Sequence, residues 1–218
     1  MSFLRRLLAT GMALILCAGL VGLSGLSARH FLADVNAELG GSDRAAEAES
    51  LAQALVLAPY NADYRRRLAL ASVDDYTAGL THITEAIKLR PTWPYDWLVT
   101  AHLLAANGIF DERMTAALAR IGETGAEERA LQFDTAVFLL AYWYHLDEIQ
   151  RQLVLPALKT VLYRIRDAKK LAVVIENLRR VDLFCRRMVD FVEYGPAWCA
   201  TYRHREQLRR RTLRRYAQ

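Results

Sequence analysis

From Leu7 to Leu26 the chain carries no charged residue, with Arg5 and Arg6 standing before this run and Arg29 and His30 after it. A helix rising about 1.5 Å per residue covers about 30 Å over such a run, the thickness of a bilayer's hydrocarbon core. A cylinder apolar on every side has no face to turn toward water, so burial inside a small protein core accounts for it poorly. A cleaved signal peptide is a second reading, for which Gly25-Leu26-Ser27 or Leu26-Ser27-Ala28 supplies a weak cutting site. The favoured reading is an uncleaved transmembrane anchor within residues 1–30. Cys17 does not signal a lipoprotein, because Leu14, Ile15 and Leu16 fill the places where a small residue is needed. Ala18 and Gly22 form a small-xxx-small pair, the spacing that lets two membrane helices approach closely.

Orientation follows from the basic residues. Arg5 and Arg6 precede the run, whereas Arg29 is the only Lys or Arg between it and Arg44. The positive-inside bias then puts the amino terminus in the cytoplasm and the rest of the chain outside. In a bacterium this is a single-pass inner-membrane protein with its domain in the periplasm.

Beyond a linker over 31–43, the remaining residues suffice for one domain with its own core. Apolar residues recur at spacings of three and four, with no sustained alternation over a strand's length, so the expected fold class is all-α. The pattern predicts helices over 44–58, 61–73, 75–90, 94–107, 111–121, 126–144, 147–166, 168–180 and 183–194. Ser42 or Asp43 is placed to cap the first, Asp74 the third, and Thr92 with Pro94 the fourth, which Asn107-Gly108 ends. Gly122 is expected to stop the fifth helix, and Pro156 to kink the long one rather than split it.

A phrase repeats within this pattern. Leu51, Ala54 and Pro59 are echoed by Ile83, Ala86 and Pro91, and the two prolines lie 32 residues apart. Large, small and proline at these intervals match the second helix of a tetratricopeptide repeat. Leu68 with Ala69, and Trp97, Thr100, Ala101 and Leu104, fall in the packing slots of the first helix that follows. A small residue lets paired helices approach, a large one fills the groove beside it, and proline turns the chain. Glu47 departs from the pattern where alanine is usual. The expectation is therefore a transmembrane helix followed by a tetratricopeptide-like α-solenoid, with degenerate repeats over 44–122 and unrelated helices over 123–200. Generic amphipathic hairpins are the plainer alternative. Such repeats bind partners on their first-helix face, which makes Tyr60, Tyr64, Trp93, Tyr95 and Trp97 candidate contacts. Aromatics at helical spacing also serve as core, and Trp93 and Tyr95, beside prolines at a turn, are the pair expected at the surface.

Signatures of catalysis are missing from the sequence. His30, His82, His102, His145 and His204 form no His-Glu-x-x-His phrase, and no nucleophile elbow, phosphate-binding glycine loop or dinucleotide fingerprint occurs. The expectation is a non-enzymatic protein with no metal and no cofactor. Asp74-Asp75 and Glu127-Glu128 read as helix-start acids rather than catalytic pairs.

Cys185 and Cys199 flank Gly195-Pro196, where the chain should turn. On the oxidising side of a membrane they are a candidate disulfide, contributing up to about 3 kcal/mol; two small buried side chains are the alternative. The tail over 201–218 concentrates the positive charge. Arg203, Arg205, Arg209, Arg210, Arg211, Arg214 and Arg215 against Glu206 give it +6, while the whole chain is +5. Anionic lipid, an acidic polysaccharide or an acidic protein are possible targets, or the arginines merely solvate a helix end. A periplasmic domain excludes nucleic acid.

Leu89-Arg90-Pro91-Thr92-Trp93-Pro94-Tyr95-Asp96-Trp97, Gly108-Ile109-Phe110-Asp111 and Arg180-Val181-Asp182-Leu183-Phe184-Cys185 together resemble the VpsP-type exopolysaccharide biosynthesis proteins. The order of parts is similar too, and the resemblance covers most of residues 45 to 200. It implies a membrane-anchored protein with tetratricopeptide-like helices in polysaccharide assembly or export, and no catalytic residues; with the repeats, the expectation is a scaffold that binds other proteins of a polysaccharide synthesis or export complex. A polysaccharide-binding or polysaccharide-modifying protein, or a general envelope assembly adaptor, are the alternatives. The chain departs from the pattern between Gly122 and Glu128, and in its longer arginine tail.

Overall fold

The computed structural model describes residues 44–72 and 74–188, with Arg29, Cys199, Ala200 and Tyr202. The expected anchor run from Leu7 to Leu26, the linker 31–43 and all tail arginines lie outside these. Every regular element among the described residues is helical, and none of those helices is long and apolar enough to cross a membrane. The chain divides into two compact units, between Pro91 and Thr92.

The first unit contains α1 (Arg44–Leu57), α2 (Ala62–Ala71) and α3 (Tyr76–Leu89), each packed on the next. The repeated phrase supplies its core. Leu51 and Ala54 on α1 and Ile83 and Ala86 on α3 are fully buried. Tyr64 and Leu68 of α2 join Leu51, Ala54 and Ala58 in one apolar cluster. Glu47, the departure from the repeat, ion-pairs with Arg67 of α2 at 3.1 Å, so a charged pair replaces close helix approach there. Asn61 caps α2 by accepting from the Asp63 and Tyr64 amides at 2.9 and 3.2 Å. Helix α3 is capped by Asp75, which accepts from the Ala78 amide at 3.0 Å, and not by Asp74.

The second unit contains α4 (Pro94–Ala106), α5 (Glu112–Gly125), α6 (Arg129–Tyr142), α7 (Glu148–Tyr163), α8 (Ile165–Asn177), the short α9 (Val181–Leu183) and a π-helix over Phe184–Met188. Helix α4 packs on α5 and α6, α5 on α7, and α6 on α7 and α8. This is the connectivity of stacked hairpins, with α4, α6 and α8 in one row and α5 and α7 in the other. The helices after residue 122, expected to be unrelated to the repeats, thus continue a two-layer helical stack.

Two sequence expectations change in this unit, at Gly122 and at the start of α8. Gly122 does not stop α5, which runs on to Gly125; Gly122 is exposed, with nothing within 4 Å of the place a Cβ would take. Helix α7 passes unbroken through Pro156, with the ring on the exposed side, so the split does not occur. The break falls instead at Arg164, in extended conformation, and α8 starts at Ile165 rather than 168. Pro94 at the first helical position of α4 and the left-handed Gly108 after its end fit the expected boundaries, although the residue preceding Pro94 at the cap is Trp93.

Two buried amides tie the hairpins together. Gln150 of α7, fully buried, donates to the Phe110 and Asp111 carbonyls at 3.0 and 3.3 Å and to Thr115 Oγ1 at 3.1 Å. Its own oxygen accepts from the Asp147 amide at 3.2 Å, closing a capping box. Gln132 of α6 donates to the Gly125 and Ala126 carbonyls at 3.0 and 3.3 Å, satisfying the end of α5. Arg129 at the start of α6 grips Asp167 of α8 through two bonds of 2.7 and 2.8 Å. That hydrogen-bonded guanidinium holds the buried Asp167 carboxyl below the usual carboxylate range.

Candidate functional site

The five candidate aromatics do not form one cluster. Tyr60 and Tyr64 belong to the first unit, Trp93, Tyr95 and Trp97 to the second. Tyr60, in the α1–α2 turn, is 83% exposed. Tyr64 is a correction: it lies one turn before Leu68 on the face of α2 turned to α1, so it is core and not partner surface. Trp93, 44% exposed, and the half-buried Tyr95 stand together with ring centroids 5.7 Å apart. Tyr95 donates its hydroxyl to Glu128 at 3.3 Å. Burial first, and the Glu128 carboxylate second, push the Tyr95 hydroxyl above the ordinary tyrosine range. Glu128 therefore braces Tyr95, and its side chain makes no cap bond at the start of α6. The half-buried Trp97 has the Arg120 guanidinium 5.8 Å from its ring centre.

Cys185, in the π-helix, is disulfide-bonded to Cys199, with Cα atoms 5.7 Å apart. The expected helix over 183–194 gives way to α9 and this π turn as far as Met188. Arg205, Arg209, Arg210, Arg211, Arg214 and Arg215 lie outside the described residues.

A second site, which the sequence reading did not assemble, sits where α6 ends. Two guanidinium groups converge on its terminal carbonyls. Arg180 donates to Leu140 and Ala141 at 3.2 and 3.1 Å, and Arg151 to Trp143 at 3.0 Å. Cations at this end oppose the negative pole of the helix dipole. Each guanidinium also lies over an aromatic face: Arg151 is 4.9 Å from the Trp143 ring centre, and Arg180 is 5.1 Å from that of Tyr144. Arg180 reaches this position because α8 ends in a Schellman turn, its amide bonding the Ile175 carbonyl at 2.9 Å while Arg179 takes a left-handed φ of 56°.

Around these groups opens a cleft of about 480 Å³. Trp143 and Tyr144 form its aromatic side; Arg151, Arg186 and Arg187 its basic side; Glu148 and Asp182 add carboxylates, and Leu183 closes one edge. Tyr144 is 63% exposed. Arg186 and Arg187 are exposed and form no ion pair among the described residues. Residues 180 to 185 are one of the phrases quoted above, so that phrase builds a wall of this cleft. The signal available in sequence was Trp143-Tyr144 followed by Arg151 and, far along the chain, Arg186-Arg187.

Behind it runs an aromatic series. His102 meets Phe138 edge-on at 5.1 Å, Phe138 meets Tyr142 at 4.9 Å, and Phe110 stacks on His145 at 5.2 Å. Burial keeps the His102 imidazole below the usual histidine range. Among the described residues no three of His, Cys, Asp and Glu converge as metal ligands. No protein-family model matches the chain, and neither curated proteins nor solved structures show a similarity to it.

Proposed function

We propose that this chain is a non-catalytic, membrane-tethered adaptor of bacterial exopolysaccharide biosynthesis or export, holding another protein of that machinery against its helical stack. The observation that carries this reading is the stacked-hairpin packing of the second unit, with Trp93 exposed beside the half-buried Tyr95 at its start. Helical stacks of this kind act by presenting an extended face to a partner. The resemblance of the quoted phrases to the exopolysaccharide biosynthesis proteins supplies the process. A periplasmic location agrees with the charge pattern around Leu7–Leu26 and with the Cys185–Cys199 bond, since disulfides persist in oxidising compartments.

Deleting the gene should lower secreted polymer while leaving sugar-nucleotide pools unchanged; unaltered polymer output refutes the assignment. Crosslinking in intact cells, compared between the parent and Trp93→Ala, tests the surface. Loss of the crosslinked partner with an unchanged melting curve supports it, and loss of folding makes Trp93 a core residue. A reporter enzyme fused to the carboxyl terminus that works only in the cytoplasm refutes the orientation.

A further inference from the structure

The geometry points to the cleft at the end of α6 as a binding site for an acidic oligosaccharide, a sugar chain bearing carboxylates as uronic acids do. The inference stands on the cleft itself and not on the adaptor reading. Its volume of about 480 Å³ falls inside the range of small-molecule sites, about 300–1,000 Å³. Three kinds of side chain meet there, and each suits one feature of such a ligand. Trp143 and Tyr144 offer flat rings against which the C–H face of a pyranose packs, and the guanidinium groups of Arg151 and Arg180 fix those rings in place. Arg186 and Arg187, with no ion-pair partner among the described residues, are left to take carboxylates through paired N–H donors. Asp182 accepts from hydroxyls, as does Glu148 with the lone pairs left over from Gln152 at 2.8 Å and Arg151 at 3.6 Å.

The mixture of charges decides the ligand class. Three arginines against two carboxylates leave the lining weakly positive, which suits monoanions separated by hydroxyl groups. A phosphate-rich ligand would place its charge against Glu148 and Asp182. An acidic peptide would need an apolar pocket for an anchoring side chain, and the only aliphatic group in the lining is Leu183, itself buried. The π-helix contributes as well, because it brings the sequence neighbours Arg186 and Arg187 to one cleft; π turns recur at functional sites.

Calorimetric titration of the full chain tests this with three probes: trigalacturonate, the neutral trisaccharide maltotriose and hexaglutamate. Trigalacturonate should bind, weaken as salt rises, and exceed both others. In the double variant Arg186→Ser/Arg187→Ser its affinity should fall about tenfold at low salt, with an unchanged melting temperature, because neither side chain holds the fold. Tyr144→Ala should weaken trigalacturonate and leave any hexaglutamate binding as it was. Undetectable trigalacturonate binding, or binding that the double variant retains in full, overturns the proposal, the latter moving the site to the arginine tail. Hexaglutamate binding as tightly as the uronate overturns it in favour of an acidic peptide. Polymer output in cells is not part of this readout, so its failure and that of the adaptor reading are separable.

Discussion

Gly122 and Gly125 sit three residues apart in α5, and the packing requires opposite responses to the same substitution. At Gly122 an added methyl group meets nothing within 4 Å. Alanine there removes the helix-interior penalty of glycine and should stabilise the protein by about 0.5–1 kcal/mol. At Gly125 the same methyl would run into Leu131 Cδ2 and come within 2.9 Å of Pro94 Cβ and 3.2 Å of Pro94 Cγ. Leu131 is fully buried and cannot swing into water, and the pyrrolidine of Pro94 opens α4 and cannot rotate away. Overpacking of this kind costs about 1–3 kcal/mol. After subtraction of the propensity gain of at most about 1 kcal/mol, Gly125→Ala should destabilise by up to about 2 kcal/mol. Displacing Gly125 also strains the bond from Gln132 to its carbonyl, adding to the loss. Urea denaturation followed by circular dichroism should place the two midpoints on opposite sides of the parent. If Gly125→Ala is as stable as Gly122→Ala, the tight junction of α4, α5 and the start of α6 does not exist as described.

Gln150→Leu should cost about 1–3 kcal/mol in the same assay, since it abandons the Phe110 and Asp111 carbonyls and Thr115 at the α5–α7 junction; a loss under a few tenths would mean water replaces the amide freely. Arg179→Gly should raise stability by about 0.5–1 kcal/mol, because glycine takes the left-handed conformation without the clash of a Cβ, and a lower midpoint would show that the Arg179 side chain holds the turn. The His102 imidazole has a lower pKa folded than its unfolded value near 6.5, so the unfolded state takes up the proton first. Its contribution is therefore complete above about pH 6.5 and is lost as pH falls from there toward the folded pKa. Melting temperatures at pH 7.5 and 5.5 should differ less in His102→Gln than in the parent.

What could be read in advance and what could not separate along one physical line. Leu51 with Ala54, and Ile83 with Ala86, announce themselves because helix pairing is imposed by residues three or four apart, a distance a sequence displays directly. Pro94 and Gly108 are legible for the same reason: each acts on its own backbone. The errors arise where a local signal competes with a distant one. Gly122 is a weaker helix breaker than the packing that holds α5 together, and the true end is set by Gln132 reaching back to Gly125 and Ala126. Tyr64 looks like surface beside Tyr60, yet α1 lies over its face. Asp74 and Asp75 are chemically equal, and only backbone conformation decides which one reaches the Ala78 amide.

The cleft is the extreme case. Trp143 to Arg151 and Asp182 to Arg187 are separated by all of α8, and they meet because α6 and α8 share one row of the stack while Arg129 clamps the start of α6 to Asp167. The hairpin order of helices expected to be unrelated to the repeats is therefore the cause of the site that the sequence hides. A two-row stack returns every second helix to the same side, so the ends of α6 and α8 fall together, and the left-handed turn at Arg179 then carries Arg180 back onto the carbonyls of α6. A chain that buried its hairpins equally well but ended α8 without that turn would lose the basic wall and the packing of Val181, Leu183 and Phe184. Binding at the cleft should accordingly respond to changes at residues 178 to 180, which hold Arg180 on the end of α6.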